Sequence, residues 1–303
     1  MENPEFKIPL LSREILDRIE NKHLDLPYCD QSPFQILDIY FPDDCEGPYP
    51  VIVHFHGGAF LFGTQRDVNF ETMLRGLKRG YAVVSVQYRM SKEARFPALI
   101  YDAKAAIRWI RANAKTYSLD PTKIAVWGPS AGGYIVSMLG VTANNPAFED
   151  LGMGNAEFSS AVDAVVDWCG PCGGFLEMDP AIRENNIGDA DHNDPLSPES
   201  RIMGAPIATI AHLVDLASPW KYAHRNVPPF LIHHGEADPI VPIQQSIRLA
   251  EAIAKEAGED RVRFQRFPGQ GHHGEPWYDT ETMSDLVLDF IDAVFDEKDK
   301  KSC

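Results

Sequence analysis

Basic charge is scarce in this chain: 28 Lys and Arg stand against 44 Asp and Glu, a formal net charge of −16 at pH 7. Binding to a phosphate backbone rests on clustered Lys and Arg, so nucleic acid is excluded as a partner, and neutral substrates fit better. Long apolar runs are missing too. No stretch approaches the roughly 20 residues that a bilayer-crossing helix needs, so no membrane partner is expected. Residues 1–7 (MENPEFK) hold no basic segment leading into an apolar one. That argues against a secretory signal and makes the cytoplasm the expected compartment. Cysteine is sparse and odd in number, and five at irregular spacing do not make a disulfide framework. Internal repeats are absent, and low complexity is confined to the charged tail at 296–301. What remains, 44% hydrophobic and 24% charged residues, is the composition of an ordinary globule.

Strand-length apolar runs alternate with helical periodicity. Residues 35–40, 49–56, 81–88, 123–127, 161–167, 229–234 and 261–267 read as strands, several too apolar to be exposed on either face. Between them, residues 97–117 repeat Leu99, Ala103, Ala106, Ile107 and Ile110 on one helical face and stop at Asp120-Pro121. Helices are also expected at 131–140, 242–257 and 281–295, with a short one carrying Ile15, Leu16 and Ile19. Such alternation predicts an α/β fold with a mainly parallel central sheet flanked by helices and right-handed crossovers. Residues 170–222 break the rhythm: they are rich in Asp, Asn and Pro, with helical fragments at 198–203 and 207–213. They are expected to form a cap inserted within a single domain spanning 1–303, covering the mouth of a site.

The densest chemical signal is Gly128-Pro129-Ser130-Ala131-Gly132, a G-x-S-x-G between a strand-like and a helix-like run. A serine at such a sharp turn is pushed outward, and the helix behind it aims N–H groups at any oxyanion forming beside the hydroxyl. A serine needs a base, and the base needs an acid to hold its tautomer. Both are present downstream, each just past a strand end. Asp238 lies in Gly235-Glu236-Ala237-Asp238-Pro239, and His272 follows Gly269-Gln270-Gly271. His273 competes with His272 for the base, which is favoured because it directly follows Gly-x-Gly; Glu236 is the alternative acid, two residues closer to its strand. Near the N-terminus, Gly57-Gly58-Ala59 follows the strand at 51–56. The N–H groups of Gly58, Ala59 and Ala131 are therefore expected to form an oxyanion hole.

With these parts assembled, the chain resembles the α/β-hydrolase fold, close to hormone-sensitive-lipase-like carboxylesterases. More narrowly it is similar to bacterial esterases of the BD-FAE kind, which remove feruloyl and acetyl groups from plant-wall polysaccharides. The residues carrying the resemblance run from Leu37 to Phe290. They include Leu37-Asp38-Ile39-Tyr40-Phe41-Pro42, His56-Gly57-Gly58-Ala59-Phe60, Tyr88-Arg89, Phe96-Pro97-Ala98, Asp102, the elbow, Ala217-Ser218-Pro219, Pro228 to Ile232 with His234-Gly235, and Gly271-His272. Ala59 departs from the pattern, in which a third glycine is common; its N–H remains, so only the shape of the acyl pocket is affected. The resemblance implies a serine ester hydrolase working through an acyl-enzyme. It would need no metal and no organic cofactor, and would act on a small-molecule or oligosaccharide ester. Acyl length, alcohol and oligomeric state stay open, a homo-oligomer among them. So do two other readings, a formamide or amide hydrolase of the kynurenine-formamidase type and a hydrolase-fold protein that only binds.

Two further patterns point elsewhere. Trp168-Cys169-Gly170-Pro171-Cys172 copies a thioredoxin-type redox pentapeptide, but Gly173-Gly174-Phe175 does not open a helix that would lower a thiol pKa. The pairs His54/His56, His233/His234 and His272/His273, with Asp191 or His192, invite a zinc reading. No H-E-x-x-H spacing supports it, and strand-end histidines are expected instead to brace the oxyanion and acid loops. Asp102, on a helix, is expected to be a structural partner of a buried group.

Overall fold

The computed structural model describes residues 8–43, 45–272 and 281–302. Strand-forming segments are those with β-branched or aromatic residues at consecutive positions, and they come together in one sheet. The strands are β1 (Lys22–Pro27), β2 (Ile36–Tyr40), β3 (Tyr49–Phe55), β4 (Ala82–Val86), β5 (Leu119–Pro129), β6 (Ala164–Trp168), β7 (Phe230–Gly235) and β8 (Val262–Phe267). They lie in the order β1-β2-β4-β3-β5-β6-β7-β8. The pairs β1–β2 and β2–β4 are antiparallel, and every pair from β4–β3 to β7–β8 is parallel. The helices are α1 (Arg13–Arg18), α2 (Phe70–Leu74), α3 (Ala98–Ala112), α4 (Ala131–Val141), α5 (Met178–Asn185), α6 (Pro198–Met203), α7 (Ala211–Leu216), α8 (Gln244–Ala257) and α9 (Glu281–Ser302).

Side-chain alternation sorts the core into two layers. Val51, Val53, Phe55, Val84, Val86, Val126, Val165, Phe230 and Ile232 point to one face, where they meet Leu99, Ile107, Ile110, Ile135, Leu139, Leu249 and Ile253 of α3, α4 and α8. Ile52, Val83, Trp127, Val166 and Leu231 point to the other, against Phe70 and Met73 of α2 and Val287, Leu288, Ile291 and Phe295 of α9. A parallel sheet covered on both faces leaves its strands no solvent side, which is why β3 to β7 read as unbroken apolar runs.

The edges depart from the sequence reading for physical reasons. β1 goes unforeseen because its residues are mostly exposed and polar. It pairs on one side only, with an irregularity between His23 and Leu26. α3 ends at Ala112, five residues short of the expected end, and tight turns at 113–118 lead into β5. β5 starts at Leu119, four residues early, because that residue reaches Tyr49 of β3 before the register shifts. α2 fills the stretch after the glycine-rich loop that sequence left unassigned. Between β6 and β7 the chain forms α5, α6 and α7 with short 3₁₀ turns, packed over the ends of α4 and α8. No helix among the described residues is long and apolar enough to cross a membrane.

Candidate active site

Parallel strands deliver their C-terminal ends to one edge of the sheet, and every sequence-predicted site residue that is described lies just beyond such an end. Ser130 follows β5. Its backbone sits at φ 55°, ψ −119°, a region L-residues avoid at a cost on the order of 1–3 kcal/mol. The turn is held by the Ser130 N–H, which donates to the Trp168 carbonyl of β6 at 2.7 Å. The flanking glycines are there for space. A Cβ on Gly132 would lie 2.0 Å from the Phe55 carbonyl oxygen, and one on Gly128 would lie 2.5 Å from the Gly132 carbonyl carbon. Two side chains in those places would push α4 off β3 and open the turn.

The loop after β3 folds tightly across the start of α4. Gly58 (φ +111°) has no room for a Cβ, which would fall 1.9 Å from the Phe62 carbonyl oxygen. Ala59 and Phe60 also take positive φ, at 52° and 60°. The loop is pinned where Leu61 and Phe62 donate to the Gly58 carbonyl, and Phe60 sets its ring edge-on to Tyr134 of α4. Below it, His56 bonds the Gly57 carbonyl through Nδ1 (2.7 Å) and Gln87 through Nε2 (2.6 Å) and stacks on Tyr88. Burial pulls its pKa down to about 4, so it stands as a neutral brace. Among the described residues, no acceptor takes the N–H of Gly58, Ala59 or Ala131.

Asp238 and His272 come from the loops after β7 and β8. Those loops are laced together: Glu236 donates to the Phe267 carbonyl and Ala237 to that of Gln270. Asp238 Oδ1 accepts the N–H groups of Ile240 and Val241, each at 2.9 Å. Its Oδ2 faces His272 Nδ1 at 2.6 Å and His234 Nε2 at 3.2 Å. His272 Nε2 then lies 3.0 Å from Ser130 Oγ. Burial by itself would raise the carboxyl pKa, but the charges of and hydrogen bonds from His272 and His234 outweigh it and hold Asp238 far below the usual carboxylate range. Burial likewise opposes the charged form of His272, yet the adjacent Asp238 carboxylate lifts its pKa well above the ordinary value. The arrangement is a hydroxyl, an imidazole and an anchored carboxylate in series. It can take a proton from Ser130 and stabilise the imidazolium that results.

The competing candidates fall elsewhere. Glu236 pairs with Arg266 at 2.9 Å, and Asp102 binds Arg89 and Gln35 inside the fold, as its helical position suggested. His273 lies outside the described residues. Among the described residues these histidines have separate partners: His54 meets Ser85 and His192 meets Asp179, while His234 is tied to Ser246 and the Val241 carbonyl. Asp191 joins no cluster of three ligating groups among the described residues. The four described cysteines are thiols. Cys172 Sγ points to the Asp167 carboxylate at 3.3 Å. His234 backs Asp238, the brace expected of a strand-end histidine beside the acid loop. Sequence reasoning missed Cys169, which, in the position beyond β6 that matches Ser130 beyond β5, sets its thiol against His272.

The chain is similar to known proteins in sequence and in fold. The BD-FAE family model matches residues 37–253. Esterases LipQ and LipC of Mycobacterium tuberculosis are 31% and 32% identical over 89% and 79% of this chain. The chain spans only 62% and 57% of their lengths. Among solved structures, a truncated carbohydrate esterase from gut microbiota is 30% identical, with a TM-score of 0.80 over 94% of this chain and 99% of its own. A bifunctional GH43-CE protein of Bacteroides eggerthii is 34% identical with a TM-score of 0.78, over 90% of this chain and 38% of its own. An eight-stranded, mostly parallel sheet flanked by helices, with a serine on the turn after β5, is the α/β-hydrolase fold. By sequence model and by fold, the chain belongs to the BD-FAE family of α/β-hydrolases.

Proposed function

We propose that the protein is a carboxylic ester hydrolase that works through an acyl-enzyme on Ser130. The observation that carries this is the unbroken run of contacts from Ser130 Oγ to His272 Nε2 (3.0 Å) and from His272 Nδ1 to Asp238 (2.6 Å). Ser130 Oγ attacks the ester carbonyl carbon as its proton passes to His272 Nε2. The oxyanion takes hydrogen bonds from the N–H groups of Ala131, Gly58 and Ala59, where each donor is worth roughly 3–4 kcal/mol in the barrier. Collapse of the tetrahedral intermediate breaks the bond to the alcohol, which leaves with the proton from His272. Water, giving its proton to the same nitrogen, then releases the acid and restores Ser130. Asp238 stays ionised throughout and steadies the imidazolium. No step draws on a metal or an organic cofactor.

Short acyl groups, acetyl above all, or feruloyl groups carried by a carbohydrate are the proposed substrates. Support comes from the family match and from two relatives described as a carbohydrate esterase and a GH43-CE protein. Residues 170–222 would act as the cap that shapes the acyl side: Phe175 packs on both Phe60 and Tyr134 beside the oxyanion loop. A panel of acetyl, butyryl and feruloyl esters, acetylated xylo-oligosaccharides and a formamide tests the reading. The acetylated oligosaccharide or feruloyl ester should give the highest kcat/KM. A preference for the formamide, or equal rates on all simple esters, would overturn the carbohydrate assignment.

A further inference from the structure

Beside the proton relay lies a second constellation that hydrolysis does not use. Cys169, Asp238 and His272 each turn a metal-ligating atom into the same space, all within 4.8 Å of one another. They arrive from the ends of three adjacent strands, β6, β7 and β8, and all three are buried or nearly so. Among the described residues this is the one place where three such groups converge. We propose that Cys169, Asp238 and His272 bind a soft or borderline divalent cation, Zn2+ foremost, and that its binding shuts off nucleophilic attack by Ser130. The inhibitory part rests on the ester-hydrolase reading above; the cation site does not.

Chemistry selects the ion. A sulfur, a nitrogen and a carboxylate oxygen make a donor set suited to zinc or cadmium, whereas Mg2+ and Ca2+ take oxygen ligands and retain water. Around tetrahedral zinc, ligand atoms stand about 3.5 Å apart, so where the ion takes Nδ1 the 2.6 Å contact between His272 and Asp238 opens by about 1 Å, while the wider separations, none above 4.8 Å, close by about as much. Charge balances as well. Thiolate and carboxylate together neutralise a dication, which removes most of the penalty of burying it. On binding, the Cys169 thiol releases one proton to solvent, His272 releases a second where it stands as the imidazolium, and Asp238 releases none. If the ion takes His272 Nδ1, the one remaining ring proton sits on Nε2; if it takes Nε2, the lone pair facing Ser130 is consumed. Either way Ser130 loses its base. Cys172, three residues on, is not part of the set because its sulfur is turned to Asp167.

The test uses the full chain freed of metal with EDTA, then titrated with Co2+ and Zn2+. In the wild type, Co2+ should give a thiolate-to-metal charge-transfer band in the near ultraviolet. Zn2+ should abolish hydrolysis of an acetyl ester until EDTA restores it, and Mg2+ should do nothing. Cys169→Ala and Cys169→Ser should both lack the band, and should need about tenfold more Zn2+ or beyond for the same loss, each scored against its own metal-free rate. Cys172→Ala should match the wild type. A wild type without the band, a band that survives in both Cys169 variants, or unchanged zinc sensitivity in them would overturn the site. A chain that hydrolyses no ester when metal-free would sink the functional reading alone, and the cobalt band would still decide the cation site.

Discussion

The behaviour of His272 follows from what surrounds one ring. On one side an ionised, fully buried carboxylate holds Nδ1–H, and on the other a hydroxyl waits for a base. Asp238 is kept charged by two backbone N–H groups, His234 and His272 itself, so the imidazolium is the favoured form up to a pH above the usual 6.5. Only the neutral ring can accept the Ser130 proton, so activity must fall as pH falls. The acid limb of kcat/KM should therefore have its midpoint above pH 6.5, measured on an acetyl ester across pH 5–9. Replacing the carboxylate should remove the cause: Asp238→Asn should lower that midpoint and reduce kcat by on the order of 10⁴-fold, because the amide favours the wrong tautomer. A midpoint at or below 6.5 in the wild type would mean that Asp238 does not control the ring. The meeting of these three side chains was legible in sequence because Ser130, Asp238 and His272 each follow a strand end in the order such a relay requires. Cys169 was not legible, since a pentapeptide resembling a redox motif says nothing about which neighbour its first sulfur will meet.

Strand and helix meet most closely where β5 turns into α4. The turn works only because the first turn of α4 lies against the Phe55 carbonyl of β3, a contact that leaves Gly132 no room for a methyl group. Gly132→Ala should therefore cost more than the loss of helix entropy it relieves. Overpacking of this kind destabilises by about 1–3 kcal/mol, and urea unfolding should show a midpoint shift of that size. The rate should fall with it, because the displaced helix carries the Ala131 N–H. Unchanged stability and rate would show that the close approach is not what shapes the elbow. The strands from β3 to β8 could be read from the sequence because burial on both faces, or alternation, leaves an apolar record. β1 could not: it is an edge strand, polar and exposed, whose pairing depends on a neighbour that its own pattern does not name. α3 was read too long for a related reason. Its apolar periodicity runs on into turn residues, which sequence alone does not separate from a last helical turn.

Across the molecule, the loop after β4 is tied to α3 by an ion pair whose carboxylate is buried and whose guanidinium is partly so. The Arg89 guanidinium and backbone N–H, just past β4, bind the fully buried Asp102 of α3, which also accepts Gln35 Nε2 from the approach to β2. Truncating one partner strands a charge in the interior. Arg89→Ala should cost about 3–5 kcal/mol, whereas Lys221→Ala, which breaks an exposed pair with Asp215, should cost under about 1 kcal/mol. Equal urea midpoints for the two variants would contradict that role for Asp102. The general architecture was expected from the alternation of strands and helices. The convergence of β5, β6, β7 and β8 on one serine was not fixed by that alternation, because it depends on a strand order that no local pattern encodes. That convergence is tested most directly by treating the full chain with a fluorophosphonate and mapping the adduct by peptide mass spectrometry. The adduct should lie on the peptide containing Ser130 in the wild type and be missing in His272→Ala. An adduct on another serine, or equal labelling without the imidazole, would contradict the account.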